Sequence, residues 1–151
     1  MSRKLALVCV FALTLGALAA VPSMADPGRG ANVQCYIWNN NASSTIGVPF
    51  VPSSVYAYNA IGRASANTVT RTAVGVYTVT CKGVGGGALF SGATSWGPGG
   101  HVQVTAYGSE DADYCKVQSW TTGGADFSAT VRCYNHAGAA SDSRFDLLFV
   151  W

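Results

Sequence analysis

Seven carboxylates, two histidines and five cysteines supply most of the reactive side chains in this 151-residue chain. Glu110, Asp111 and Asp113 cluster in the segment SEDADY. Paired carboxylates serve glycoside hydrolysis when a cleft holds them roughly 5–9.5 Å apart. A short acidic run between two strands reads instead as a solvated turn, or as a weak calcium binder. Asp142, in AASDSRF, reads as an acceptor for turn amides ahead of the last strand. His101 and His136 lack the nearby ligands on which metal sites draw, and are read as a strand start and a turn residue. The segment Gly92-Ala93-Thr94-Ser95-Trp96-Gly97 is one residue too long for a nucleophile elbow and has no strand and helix around it. Asn39-Asn40-Asn41-Ala42-Ser43-Ser44 formally fits the calcium motif of the βγ-crystallins, but the second copy is missing, and calcium needs several converging oxygens. The sequence therefore predicts no catalytic residue, no metal site, no cofactor and no enzyme.

The cysteines have a structural reading. Cys9 lies in an apolar run, 5–21, preceded by Arg3 and Lys4 and followed by Pro22 and by Ser23-Met24-Ala25. That is the pattern of a secretory signal peptide, 1–25, cut after Ala25. Cleavage takes 25 of the 151 residues and leaves 126, enough for a single domain, 26–151, with a core. It also removes two of nine basic residues, so the remainder balances seven basic against seven acidic groups. Such a chain has no electrostatic footprint for nucleic acid, and no second apolar run is long enough to span a membrane. Cys35, Cys81, Cys115 and Cys133 remain, an even count in an exported chain, with no C-x-x-C among them.

The elements that must position these residues are strands. Short Val-, Thr- and Tyr-rich alternation, broken by Gly, Asn, Ser and Pro, predicts strands at 33–38, 54–59, 67–72, 75–82, 101–107, 113–120, 127–134 and 144–151. About eight strands in this pattern predict an all-β, disulfide-stabilised antiparallel sandwich. In YCKVQSWTTGGADFSATVRCY (114–134), setting Cys115 opposite Cys133 also sets Val117 opposite Val131 and Ser119 opposite Ala129. The other face then collects Lys116 with Arg132, Gln118 with Thr130, and Trp120 with Ser128. A one-residue slip would scramble this sorting. The Cys115–Cys133 bridge is favoured on that pattern, and Cys35–Cys81 follows by exclusion. The like-charge contact of Lys116 and Arg132 calls for a nearby acid, with Asp113 as the candidate.

VYAYN (55–59) echoes VTAYG (104–108), and GVYTVTC (75–81) echoes FSATVRC (127–133), a faint internal repeat. Two long connections, 39–54 and 84–100, are candidate binding loops; the first holds a short edge segment around 48–51 and the second carries Phe90 and Trp96. By alternation Trp120 faces outward with Gln118, and Trp38 with Gln34 and Tyr36. Outward rings suit sugar stacking or protein contact, although rings over a sheet also pack for stability alone. The candidate ligand-binding residues are thus Phe90, Trp96, Trp120 and Trp38.

The strings G-x-Y-x-V (75–79), VQVTAYG (102–108), YCKVQSW (114–120), VRCYN (131–135) and DSRF (142–145) together resemble a group of small secreted bacterial proteins, frequent in actinobacteria and known mainly as hypothetical proteins. The likeness covers roughly 55–151. It implies secretion and a β-rich fold, and the shared cysteines of that group match Cys115 and Cys133. It implies no activity. The expectation is a secreted, extracellular, non-catalytic module that binds a protein, a glycan or the cell surface. The alternative is a secreted inhibitor or antimicrobial protein that presents a loop to a partner enzyme.

Overall fold

Alternating side chains sort onto two faces. In Phe127–Tyr134, residues Phe127, Ala129, Val131 and Cys133 are buried, while Ser128, Thr130, Arg132 and Tyr134 take the other side. The computed structural model describes residues 33–61, 67–85, 99–108, 112–122 and 124–150, which contain nine strands. They are β1 (Val33–Asn39), β2 (Pro49–Phe50), β3 (Ala57–Asn59), β4 (Thr68–Ala73), β5 (Val76–Cys81), β6 (His101–Ala106), β7 (Tyr114–Thr121), β8 (Phe127–Tyr134) and β9 (Phe145–Val150). The leader 1–25, Phe90, Trp96, Glu110, Asp111 and Trp151 lie outside the described residues.

The strands form two antiparallel sheets, β3-β1-β9-β6 and β2-β4-β5-β8-β7. Their inner faces meet in a core of Ile37, Val69, Tyr77, Val79, Phe127, Val131, Phe145, Leu147 and Phe149. Two ring pairs span the layers: Phe127 stacks on Phe149 at 4.1 Å, and Tyr77 meets Phe145 edge-on at 5.2 Å. Cys35–Cys81 crosses from β1 to β5 and so ties one sheet to the other. Cys115–Cys133 joins directly paired residues of β7 and β8. Cys35 pairs with Phe149 and Cys81 with Phe127, so the inter-sheet disulfide and the stacked phenylalanines are adjacent rungs.

Exchanging β3 with β6, β4 with β7, β5 with β8 and β1 with β9 reproduces both strand orders, leaving only β2 unmatched. The echoed strings occupy these equivalent places. The first pair overlaps the two outer strands of the four-stranded sheet, 57–59 forming β3 and 104–106 ending β6. The second pair forms the antiparallel β5–β8 centre of the other sheet.

Two local expectations need correction. Residues 54–56 are a 3-10 turn, closed by the Tyr56 amide donating to the Ser53 carbonyl at 2.9 Å, and extended chain begins only at Ala57. The β7–β8 register agrees with the parity pattern from Tyr114 to Val117, then shifts at a bulge between Val117 and Ser119. Beyond it Ser119 faces Thr130, Trp120 faces Ala129, and Thr121 faces Ser128. The extra residue transfers Trp120 to the phase of buried Ala129 and away from that of Gln118.

Gly75 turns β4 into β5 at φ +67°, where its carbonyl accepts the Cys133 amide at 2.8 Å. An added Cβ would lie 2.6 Å from the Cys133 oxygen and 2.8 Å from the Ser141 nitrogen, both backbone atoms that cannot swing aside. Gly75→Ala is expected to lower stability by about 2 kcal/mol in urea unfolding. A loss below about 0.5 kcal/mol would show that the turn absorbs a side chain.

Candidate functional site

The inner phase of β1 is Cys35, Ile37 and Asn39, so its outer phase is Gln34, Tyr36 and Trp38. Strand pairing extends these positions into rows across the four-stranded sheet. Tyr36 faces Tyr58 on β3 and Leu148 on β9, and Leu148 faces Gln103 on β6. Trp38 faces Asp146 on β9, and Asp146 faces Thr105. The 3-10 turn folds Tyr56 onto the same face, where its ring stacks on Trp38 at 4.3 Å and 13°. Tyr107, just past β6, also meets Trp38, at 5.3 Å and 33°. Five rings thus pave one outer face. Tyr56 and Tyr58 are its exposed members, 44% and 49% accessible, and Trp38 is the half-buried base beneath.

β3 has only three residues, yet two buried amides hold it in place. Asn59 donates to the Asn67 side chain at 2.9 Å and to the Lys82 carbonyl at 3.0 Å, and Asn67 donates to the Tyr58 carbonyl at 2.9 Å. Satisfied amides of this kind fix a short edge strand at low entropic cost. Tyr58 is therefore displayed from a rigid support.

Asp146 is the one carboxylate of this face among the described residues. It accepts no hydrogen bond and makes no ion pair among the described residues, and partial burial pushes its carboxyl above the usual carboxylate range. Burial, reinforced by Asp146, likewise raises the Tyr36 phenol. Burial raises the Tyr107 phenol too, with Asp146 adding to the effect and Arg144 opposing it. The Trp38 indole nitrogen is buried with no acceptor in hydrogen-bonding geometry, although it lies near enough to favour the ionised form of Tyr36. Asp146 is thus a partly buried acceptor without a donor among the described residues, in a row with Trp38.

The remaining described carboxylates with long-range contacts are occupied. Asp142 takes two bonds from the Arg71 guanidinium, one of them at 2.9 Å, and the Gly75 amide at 2.8 Å. The Tyr77 hydroxyl lies 3.2 Å from Asp142 and 2.8 Å from the Ala42 carbonyl. Asp142 therefore does accept a turn amide, but that of the β4–β5 turn. Arg71 also donates to the Ser44 carbonyl at 3.2 Å, which puts a cation beside the string 39–44. Asp113 accepts the Ser141 and Ser143 hydroxyls at 3.2 and 2.5 Å, so it does not neutralise Lys116 and Arg132. Those two cations diverge instead. Arg132 donates to Gln118 at 2.6 Å, and the Lys116 ammonium sits 5.3 Å from the centre of the Tyr134 ring. Asp126 accepts the Gly83 amide at 2.9 Å. Among the described residues no three His, Cys, Asp or Glu side chains converge.

No family model, no curated protein and no solved structure matches this chain.

Of the four ring candidates read from the sequence, the platform takes Trp38, as the support under Tyr56. Trp120 is 39% exposed at a sheet edge, and its indole N–H donates to the Gly99 carbonyl at 3.3 Å, linking β7 to the approach of β6. It is no part of the platform. Phe90 and Trp96 fall outside the described residues. Tyr56, Tyr58, Tyr107 and Asp146 were not singled out by the sequence reading. An acid alternating with leucines in RFDLLFV was the one available signal for Asp146. The candidate loop 39–54 contributes a different surface: Ile46, Val48 and Val51, with Val55 and Ile61 beyond, are exposed apolar side chains leading from the edge at β2 to the edge at β3.

Proposed function

We propose that this chain is a secreted, non-catalytic binding module whose ligand rests on the outer face of β3-β1-β9-β6. Asp146 carries the reading. It is an unpaired, half-buried carboxylate in a surface of five aromatic rings. With the other described carboxylates that make long-range contacts engaged elsewhere, Asp146 is the acceptor this face offers to a ligand, and the paired carboxylates that glycoside hydrolysis uses are not assembled beside it among the described residues. Export is supported by the leader-like start of the sequence and by two disulfides, which persist in oxidising compartments. Among the described residues no helix is long and apolar enough to cross a membrane.

The test is a double replacement, Tyr56→Ala with Tyr58→Ala, at two exposed positions outside the core. Wild type and variant are compared by titration calorimetry against soluble polysaccharides, quaternary ammonium compounds and phospholipid vesicles. The variant is expected to lose at least nine-tenths of the affinity for any probe the wild type binds, with its melting temperature within about 2 °C of wild type. Undiminished binding by the variant would move the site off this face.

A further inference from the structure

We infer that the aromatic face binds a neutral glycan chain, laying the C–H faces of flat pyranose rings on Tyr56 and Tyr58 and directing sugar hydroxyls to Asp146; this rests on the platform reading above.

Three features of the face narrow the ligand. The first is ring geometry. An aromatic cage for a quaternary ammonium needs rings set as walls around a void. Here Trp38 and Tyr56 are within 13° of parallel and in contact, and Tyr107 tilts only 33° from Trp38. Trp38 and Tyr56 each spend one face on the other, which leaves no box between them for a cation, and the remaining face of the exposed Tyr56 is the one open to a flat ligand.

The second is the unmet acceptor. Whatever covers this face removes Asp146 further from water, and burying a carboxylate without donors is costly. An apolar protein surface or an acyl chain offers no donor and would bear that cost. A quaternary ammonium offers charge but no N–H. A pyranose has one face of C–H groups for the rings and a rim of hydroxyls for the acid. Thr105, exposed directly across from Asp146, and Gln103, exposed across from Leu148, extend the polar margin along β6.

The third is charge. Asp146 and Arg144 are the acid and base that the Tyr107 phenol senses, one opposing the other, and His101 stands at the far end of the β6 outer phase. Among the described residues no basic surface dominates this face, so a polyanion would gain little attraction and would set its own charge against Asp146.

The experiment uses the mature, disulfide-intact protein in native gels cast with hydroxyethylcellulose, xylan or glucomannan. Polygalacturonate serves as the anionic arm, and choline and phosphatidylcholine vesicles are titrated separately. Retardation by at least one neutral polysaccharide is expected. Tyr56→Ala should weaken it at least tenfold, and Asp146→Ala should weaken it about fivefold or more. Trp120→Phe, which lies off the platform, should leave it unchanged. Binding of choline, vesicles or polygalacturonate alone, still abolished by Tyr56→Ala, would overturn the neutral glycan while leaving the face as the site. Polysaccharide binding that survives both platform substitutions, or no binding to any probe, would overturn this inference and the platform reading together. Asp146→Asn is nearly isosteric, so with an intact melting curve it distinguishes loss of the acceptor charge from loss of fold.

Discussion

Replacing Cys35 and Cys81 together by alanine is expected to cost about 4 kcal/mol of stability, more than the loss of Cys115 and Cys133. The bridge closes a loop with a sequence separation of 46, against 18 for Cys115–Cys133. Chain entropy alone then ranks them at about 4 and about 3 kcal/mol. Location widens the gap. Cys115 and Cys133 already face each other in a hydrogen-bonded hairpin, whereas Cys35 and Cys81 belong to different sheets and are both fully buried. Their removal leaves a void beside the Phe127–Phe149 stack, adding a cavity cost. Urea unfolding of the two double variants under non-reducing conditions decides the matter. An equal or larger loss for the hairpin pair would mean that the inter-sheet bridge is redundant with the ring stack beside it.

The second large effect is expected at Asp142. Burial pushes its carboxyl up, but the Arg71 guanidinium, the Gly75 amide and the Tyr77 hydroxyl together outweigh burial and hold it below the usual carboxylate range. Asp142→Ala removes the only carboxylate paired with the largely buried Arg71 among the described residues, leaving the guanidinium the Ser44 carbonyl alone, and is expected to cost about 3 kcal/mol. The sign of the pH dependence follows from the lowered value. The contribution of Asp142 is complete above the unfolded carboxylate pKa near 4 and disappears as pH falls through the folded value below it. Wild-type stability should therefore fall on acidification below about pH 4, and the Asp142→Asn variant should show a flatter limb there. Asp146 has the opposite sign, because a raised carboxyl is a liability at neutral pH that protonation relieves. Asp146→Asn should leave the melting temperature unchanged or higher. Identical acid limbs for Asp142→Asn and wild type would remove the ion pair from the account of acid stability.

Strand existence was legible because it depends on local alternation: β8 follows its pattern from Phe127 to Tyr134 without interruption. The pairing of Cys115 with Cys133 was legible for the same reason, since two cysteines and two valines sort onto one face only at one register. Prediction failed where the alternation itself is broken. The bulge before Ser119 inserts one residue that no periodic rule anticipates, and Trp120 changes faces with it. Pro52 and Ser53 precede a 3-10 turn in which Val55 and Tyr56 still look like strand residues. The platform was only half visible. Trp38 and Tyr36 share a strand and a phase, but Asp146 joins them only because β9 pairs with β1. That pairing is non-local, and composition does not encode it.

The β1–β9 pairing also dictates when the platform comes into being. Asn39 and Ser143, which bond near its end, lie 104 positions apart in the chain. The five-stranded sheet contains local hairpins, β4 with β5 and β7 with β8, that can zip early at small loop-closure cost. The four-stranded sheet has its centre made from the first and last strands described, a high-contact-order closure of the kind that folds slowly. Trp38 meets Asp146 only at that closing step. A chain stopped short of β9 would retain most of its hairpins but never set Asp146 beside Trp38, so the proposed ligand surface is completed only once β9 has been made and docked.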